Sequence, residues 1–364
     1  MKILILGMTN RIGGVETFIF NSTIFSDKNV IQFDYLVHDS EEVVFRKEIN
    51  KFYNDRDHFF FVPKIKKNPF KTFKKLCKFY WENRDVYDWI HLQTGSAAEI
   101  IYVFPFIFFI RAKLIMHSHN GNGYSKGIQK LFLPIVKIAV EKKLTVSDEA
   151  SKWMYGSEKD VIVINNGVDT ERFKFSNEKR DRIRKEYNVE DSFLIGNIGR
   201  FSEQKNHKFL IEIFKNLSLI NKNAKLFLLG KGELESEIKA QIKENNLDDK
   251  VIFAGIKKNT EDYYSAFDAF ILPSIYEGLP IVGIEAQTSG LPCFFSDGIS
   301  KQIMISKNSH MISLNDTPSY WANEIEMKCK RSNQREEVYK SILEKGYDIN
   351  ETVKELRNIY YEER

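Results

Sequence analysis

Short apolar runs that open onto a glycine or polar turn, and then onto a helical pattern, recur along this whole chain. Residues 3–6, 193–198, 251–255 and 269–272 are the clearest of them. A strand with no polar side must be covered on both faces, which is the situation in a parallel sheet sandwiched between helices. Weaker runs at 33–38, 59–62, 87–92, 113–120, 143–146 and 161–164 carry the alternation through the first half. Helical patterns fall at 43–52 and 100–110, and Ser147 is placed as an N-cap for another. At 364 residues the chain is long enough for two domains, each with its own core. The alternation therefore predicts an α/β protein of two doubly wound domains.

In open parallel sheets ligands gather at the carboxyl ends of the strands, so the residues just past each run matter most. The most informative stretch is 273–297, which follows the run at 269–272. Gly278 opens a turn there, Pro280 suits the first position of a helix, and Gly290 suits its C-cap. A helix N-terminus at a strand mouth offers free N–H groups and partial positive charge, a seat for phosphate. Glu277 precedes this helix and Glu285 lies about one turn inside it. Two carboxylates would repel a phosphate, so hydrogen bonds from sugar hydroxyls suit them better. One capping acid and one solvent-facing acid would give the same spacing.

After 193–198 come Gly199-Arg200 and then Lys205-Asn206, an Arg and a Lys five apart across a strand-to-helix loop. Arg suits bidentate phosphate contact and Lys supplies a point charge, although two loose surface cations would look the same. Gly230-Lys231-Gly232 and Gly255 close the next two strands. In the first half, Gly13-Gly14 stands between the first strand and a helix beginning near Glu16, as a close backbone approach to a ligand or simply a tight turn. His117 and His119 fall on one side of the run at 113–120, as metal ligands, for which no carboxylate or cysteine stands nearby to complete a site, or as structural histidines.

Taken in order, these segments resemble glycosyltransferase family 4, retaining enzymes of the GT-B fold. The match rests on Gly13-Gly14-Val15-Glu16, His117-Ser118-His119-Asn120, Asn165-Asn166-Gly167-Val168-Asp169, Gly199-Arg200 with Lys205-Asn206, and the glutamates with Gly278-Leu279-Pro280 after the first. Asn165 stands where the family has proline. The run Ile284-Glu285-Ala286-Gln287-Thr288-Ser289-Gly290-Leu291-Pro292 is similar to bacterial capsule and exopolysaccharide enzymes. The resemblance implies two Rossmann-like domains facing a central cleft: 1–170 on the acceptor side, 171–345 for the nucleotide sugar, and a final helix in 346–364 crossing back to the first. It implies that Arg200, Lys205, Gly199 and the Gly13-Gly14 loop meet the diphosphate of the sugar donor, with Leu279, Pro280, Ile281 and Val282 at the helix tip. His119 and Glu277 would hold the donor sugar, Glu285 the ribose hydroxyls, Gly230 and Ile256 the nucleotide, with Glu16 on the acceptor side. The implied sugar donor is UDP-linked and a substrate, with no cofactor and no metal, and the implied acceptor is a glycan, carried on lipid in the capsule-type enzymes. A nucleotide-sugar epimerase of the same fold and a non-catalytic sugar-nucleotide sensor are the alternatives.

Other classes find less support. No Gly-x-Gly-x-x-Gly follows a strand, which argues against a nicotinamide enzyme. Asp55-Arg56-Asp57 sits in a charged loop and reads as solvated surface. A net charge of +4 without a nucleic-acid motif does not indicate nucleic acid. Cys77, Cys293 and Cys329 form no close pair, so neither a disulfide framework nor a zinc site is expected, and they suit a reducing cytoplasm. The first residues read as a strand rather than a signal peptide, and no run reaches the ~18 apolar residues of a membrane span. Seven lysines between Lys64 and Lys78, interleaved with Phe70, Phe73 and Leu76, read either as an ordinary surface helix or as a basic face for anionic lipid at the inner side of the plasma membrane.

Overall fold

The computed structural model describes all residues except 39–40, 106–110, 122–125, 158, 330–334 and 363–364. The chain divides into two compact units, Met1–Gly167 with Ile349–Arg364, and Val168–Asp348.

The first unit holds a parallel sheet of seven strands in the order β3-β2-β1-β4-β5-β6-β7. These are β1 (Lys2–Leu6), β2 (Gln32–His38), β3 (Phe59–Val62), β4 (Trp89–Thr94), β5 (Lys113–Ser118), β6 (Lys142–Thr145) and β7 (Ile162–Val163). Its helices are α1 (Gly14–Ile24), α2 (Arg46–Phe52), α3 (Pro69–Glu82), α4 (Lys126–Ala139), α5 (Asp148–Tyr155) and the C-terminal helix, Ile349–Tyr361. Strand order reverses between β1 and β4, so their carboxyl ends border the crevice where such sheets take ligands. Period two sends Ile90 and Leu92 of β4 into a core with Leu76 and Tyr80 of α3 and Val136 of α4. Trp89, His91 and Gln93 go to the opposite face, where Trp89 Nε1 donates to the carbonyl of Tyr360 on the C-terminal helix at 3.1 Å.

Local chemistry sets several boundaries. Ser147 accepts from the N–H of Ala150 at 3.1 Å and caps α5, as its sequence position predicts. Asn68 caps α3 in the same way, with Pro69 at the first helical position. The helix expected over 100–110 is instead a 3-10 segment, Ala97–Tyr102. Pro105 disfavours helical backbone at the residue before it, and 106–110 lie outside the described residues.

The second unit is a parallel sheet of six strands in the order β10-β9-β8-β11-β12-β13. The strands are β8 (Phe193–Ile198), β9 (Ala224–Leu229), β10 (Val251–Gly255), β11 (Ala269–Leu272), β12 (Cys293–Ser296) and β13 (Ser309–Ile312). Its helices are α6 (Thr170–Phe173), α7 (Asn177–Glu186), α8 (His207–Ile220), α9 (Glu235–Glu244), α10 (Thr260–Ala266), α11 (Ile281–Thr288), α12 (Pro318–Cys329) and α13 (Arg335–Glu344); the C-terminal helix of the first unit is therefore α14. One core runs through β8, β9 and β11 to α8, α9 and Trp321 of α12. Order reverses between β8 and β11, and the loops after these two strands carry Arg200, Lys205 and Glu277. Each unit is thus a doubly wound, Rossmann-like sheet.

Candidate active site

In the second unit the loop after β8 is built around Phe201, which is buried in the core and packs edge-on against His207. The N–H of Phe201 donates to the Lys231 carbonyl, which clamps this loop to the one after β9. Gly230 sits at φ +139°, and a Cβ there would meet the Gly199 carbonyl at 1.9 Å. The contact of these two loops thus requires glycine at 230 irrespective of any ligand. The Lys205 side chain lies across Gly199, its Cε 3.3 Å from where a Cβ would stand. It ends with Nζ 2.7 Å from Glu277 Oε1, both side chains largely buried.

Glu277 is fixed by its own backbone. Its N–H donates to Gly298 at 3.1 Å and its carbonyl accepts from Ser300 at 3.3 Å. Gln204 donates to the Tyr276 carbonyl at 3.0 Å, and its own carbonyl accepts from Ile275 at 2.8 Å. The loops after β8 and β11 therefore form one rigid piece with Lys205 and Glu277 at its centre. Arg200 is not part of that pair. Its guanidinium reaches Glu233 Oε2 through Nη2 at 2.8 Å and Nε at 3.1 Å, on an exposed surface. Arg200 and Lys205, expected to converge on one diphosphate, each make a separate ion pair in this structure.

Pro280 is the N-cap of α11 rather than its first residue, because its ψ of 119° is extended. Among the described residues no side chain caps this helix. Leu279 and Ile281 bury their side chains, so the tip can offer a ligand backbone N–H groups and partial positive charge but little else. Glu285 points inward: Oε2 accepts from the Tyr264 hydroxyl at 2.9 Å, and the residue is 8% exposed. Burial lifts its carboxyl to about 7, against a partial opposing pull from Tyr264 and Arg172. Ile256 follows Gly255, which takes φ +71°, and is well exposed.

In the first unit Gly13 is the N-cap of α1, and Gly14 its first residue, faces open space. The helix thus begins before Glu16. The Glu16 carboxylate accepts from the Thr9 hydroxyl at 2.6 Å, and burial raises it above the usual carboxylate range. Gly7, at φ +126°, ends β1 where a Cβ would meet the Gln93 carbonyl at 2.5 Å. Gln93 Oε1 lies 2.6 Å from His119 Nε2, and Phe18 of α1 packs edge-on to both His117 and His119. Burial holds His91 and His119 at about 3, so both rings are neutral at ordinary pH. His117 is also buried, and among the described residues neither of its ring nitrogens has a hydrogen-bond partner. Asp57, in the loop expected to be surface, pairs with Arg46 at 2.6 Å.

The structure therefore brings together Lys205, Glu277 and Gly199 in one unit, and His119 with the Gly7 turn in the other. Sequence reading missed Glu233, Tyr264, Thr9 and Gln93, the immediate partners of Arg200, Glu285, Glu16 and His119. Gly7, immediately after an apolar strand, was the one available signal. Among the described residues no group of three or more His, Cys, Asp or Glu side chains could hold a metal ion.

Residues 179–336 match the family model described as glycosyl transferases group 1. The chain is 28% identical over 373 residues to the putative glycosyltransferase EpsF of Bacillus subtilis, covering 98% of this chain and 95% of that protein. It is 30% identical over 175 residues to an Escherichia coli UDP-Gal:alpha-D-GlcNAc-diphosphoundecaprenol alpha-1,3-galactosyltransferase, covering 46% of this chain and 45% of the relative. Among solved structures, HepE of Anabaena in complex with UDP and glucose superposes with a TM-score of 0.83 at 17% identity, covering 99% of both chains.

Proposed function

The chain is a glycosyltransferase of the GT-B fold, related to enzymes of bacterial polysaccharide synthesis, and on that premise we propose that it moves a sugar from a UDP-sugar to a lipid-linked glycan with retention of anomeric configuration. The observation that carries this reading is the Lys205–Glu277 pair, 2.7 Å apart in loops locked together beside the tip of α11. A UDP-sugar needs both halves of such a site, a cation for the diphosphate and a fixed carboxylate for a sugar hydroxyl. The chemical step breaks the bond between the anomeric carbon and a phosphate oxygen. It forms a bond from the acceptor oxygen to that carbon on the same face, and the acceptor proton passes to the departing phosphate. We assign the compensation of charge on that phosphate to Lys205, Arg200 and the α11 N–H groups rather than to a metal; one preorganised group of this kind is typically worth about 3–4 kcal/mol. Glu285 would receive the ribose hydroxyls, His119 the donor sugar, and Glu16 would border the acceptor. The names of the E. coli relative and the ligands of HepE support UDP and an undecaprenol-type acceptor. The test is a screen of UDP-sugars with and without lipid-linked acceptors. Acceptor-dependent UDP release with an α-linked product from an α-linked donor supports the reading. A new sugar nucleotide formed without acceptor marks an epimerase instead, and UDP binding without any release marks a sensor.

An anionic membrane surface is the second partner we propose, through one side of the first unit. No acidic residue occurs in 58–81 or in 100–140, which carry seven and five Lys or Arg residues. Among the described residues no helix is long and apolar enough to cross a membrane. The helices α3 and α4 flank the Ala97–Tyr102 segment: Tyr80 of α3 donates to the Tyr102 carbonyl, and Gln129 of α4 accepts from the Ala97 N–H. Beside their lysines, Phe70, Phe73 and Trp81 of α3 and Ile128, Leu131 and Ile138 of α4 are exposed. Lysines over apolar edges suit an anionic headgroup layer, at about 1 kcal/mol per lysine near the surface. Flotation with phosphatidylglycerol vesicles at low salt should retain the protein, and changing Lys71, Lys74, Lys75 and Lys78 to Gln should release it. Equal recovery with zwitterionic vesicles would refute the basic face.

A further inference from the structure

The helix α11 is only eight residues long, so its place in the second unit is set by contacts along its length more than by its own hydrogen bonds. One of those contacts is a buried glutamine. Gln287, in the last turn, has no exposed surface. Its Nε2 donates to the Ile303 carbonyl at 2.9 Å and back to the Gly283 carbonyl of the same helix at 3.0 Å. Its Oε1 accepts from the Ser306 N–H at 2.9 Å and from the Ser309 hydroxyl at 2.6 Å. These partners fix which way the amide points, because a carbonyl can only accept and a backbone N–H can only donate. A buried amide without partners is costly, and here both donors and both lone pairs are used.

The same bonds join α11 to the segment 298–306, which also holds Glu277. At the start of the segment the Gly298 carbonyl accepts from the Glu277 N–H at 3.1 Å, and the Ser300 N–H donates to the Glu277 carbonyl at 3.3 Å. Residue 298 has to be glycine, since a Cβ there would meet the Ile275 carbonyl at 2.1 Å. Between the two ends lies one 3-10 turn, Lys301–Ile303, capped by Ser300, whose hydroxyl accepts from the Gln302 N–H at 3.3 Å. Ile299, Ile303 and Ile305 are buried along it. Gly283 of α11 lies close against it as well: a Cβ there would come within 3.0 Å of both Ile303 and Phe295. The segment is a strap, with Glu277 fastened at one end and α11 at the other.

We propose that Gln287 is a positioning residue for sugar transfer: by locking α11 to the strap that holds Glu277, it sets how far the diphosphate seat at the helix tip stands from the carboxylate that takes the sugar. This rests on the reading of the α11 tip as the diphosphate seat and of Glu277 as a sugar contact, and it adds what fixes the spacing between them. The tip and Glu285 belong to the same helix, so bound UDP travels with α11, and Lys205 can follow the diphosphate through its flexible stem. The sugar cannot travel with it, because its partner is fastened to the other end of the strap.

The test is a double-mutant cycle between Gln287 and Glu277 in the full chain, with the UDP-sugar identified by the donor screen. Methionine is about as long as glutamine but donates nothing, so Gln287→Met undoes the lock. It should lower kcat about tenfold or more, while calorimetry finds UDP affinity within about threefold of the unaltered chain. In a Glu277→Ala background the same substitution should cost less than about twofold, since no carboxylate is left whose place matters. Gln287→Glu keeps the shape and both accepted bonds but, when ionised, has no proton to donate. It should show the same contrast between backgrounds with a smaller loss, and it decides the question by itself if Gln287→Met does not fold. An equal loss in the two backgrounds, or a loss of UDP affinity as large as the loss of transfer, marks a general structural role and overturns the inference. Undiminished transfer by folded Gln287→Met overturns it too. Undiminished transfer by Glu277→Ala alone is a different failure: it removes the sugar contact on which the inference rests.

Discussion

Lys205 Nζ stands 2.7 Å from Glu277 Oε1, with both side chains largely withdrawn from water. The pair neutralises itself, so a diphosphate that takes the lysine also frees the carboxylate for a sugar hydroxyl. Glu277→Gln should therefore separate two functions. Calorimetry should find UDP bound as tightly or more tightly, because the lysine is released, while transfer falls at least about tenfold. Loss of UDP affinity in Glu277→Gln would contradict this division.

Arg200 is held by Glu233 on an exposed surface. Such pairs add about 0–1 kcal/mol to stability, so Glu233→Gln should leave the melting temperature nearly unchanged. It should raise UDP affinity about twofold to fivefold and steepen its salt dependence, since a freed guanidinium near a diphosphate is screened by salt. Unchanged UDP affinity at low salt would exclude Arg200 from the diphosphate site.

Burial lifts Glu285 to about 7. Ribose hydroxyls donate best to the ionised form, so UDP affinity should rise as pH goes from below to above that value, and Glu285→Gln should abolish the dependence. Stability runs the other way. The folded pKa lies above the ordinary 4.5, so the folded state keeps the proton more tightly. The stability this group contributes is complete below 4.5 and is lost as pH rises through about 7. Glu285→Gln should accordingly melt higher than the unaltered chain on the alkaline side, as scanning calorimetry would record.

The histidines give the opposite slope. His91 and His119 are held at about 3 by burial, below their ordinary 6.5. Their contribution to stability is present above 6.5 and is lost as pH falls toward 3. His117 adds to this without a hydrogen bond in return, since among the described residues both ring nitrogens are unpartnered. His117→Leu should therefore be stabilising by about 1 kcal/mol and should soften the acid-side loss of melting temperature. A clear drop in melting temperature at neutral pH would show that His117 has a partner after all.

What could be read from the residues was decided by how local the cause was. The strands were legible because runs such as Phe193–Ile198 and Ala269–Leu272 are buried on both faces and carry no polar side. Gly199, Lys205 and Glu277 were legible because they sit directly past those runs. By contrast β13, Ser309–Ile312, fully buries only its two end residues and mixes Ser and His with Met and Ile, so its pattern is faint. The partners Tyr264 and Tyr360 come from helices whose sequences carry no trace of what they face, and Glu233 diverts Arg200 through a contact that only the folded loops create. Proline accounts for the rest, shortening the expected helix near Pro105 and delaying the start of α11 by one residue at Pro280.

The proposed transfer depends first on Lys205, beside the tip of α11, receiving the diphosphate of a nucleotide sugar. Titrating UDP into the unaltered chain and into Lys205→Ala, each shown to be folded, asks this without needing the acceptor or the sugar. UDP should bind the first, with an affinity at least about tenfold weaker, about 1.4 kcal/mol, for the second. Equal affinities would contradict it.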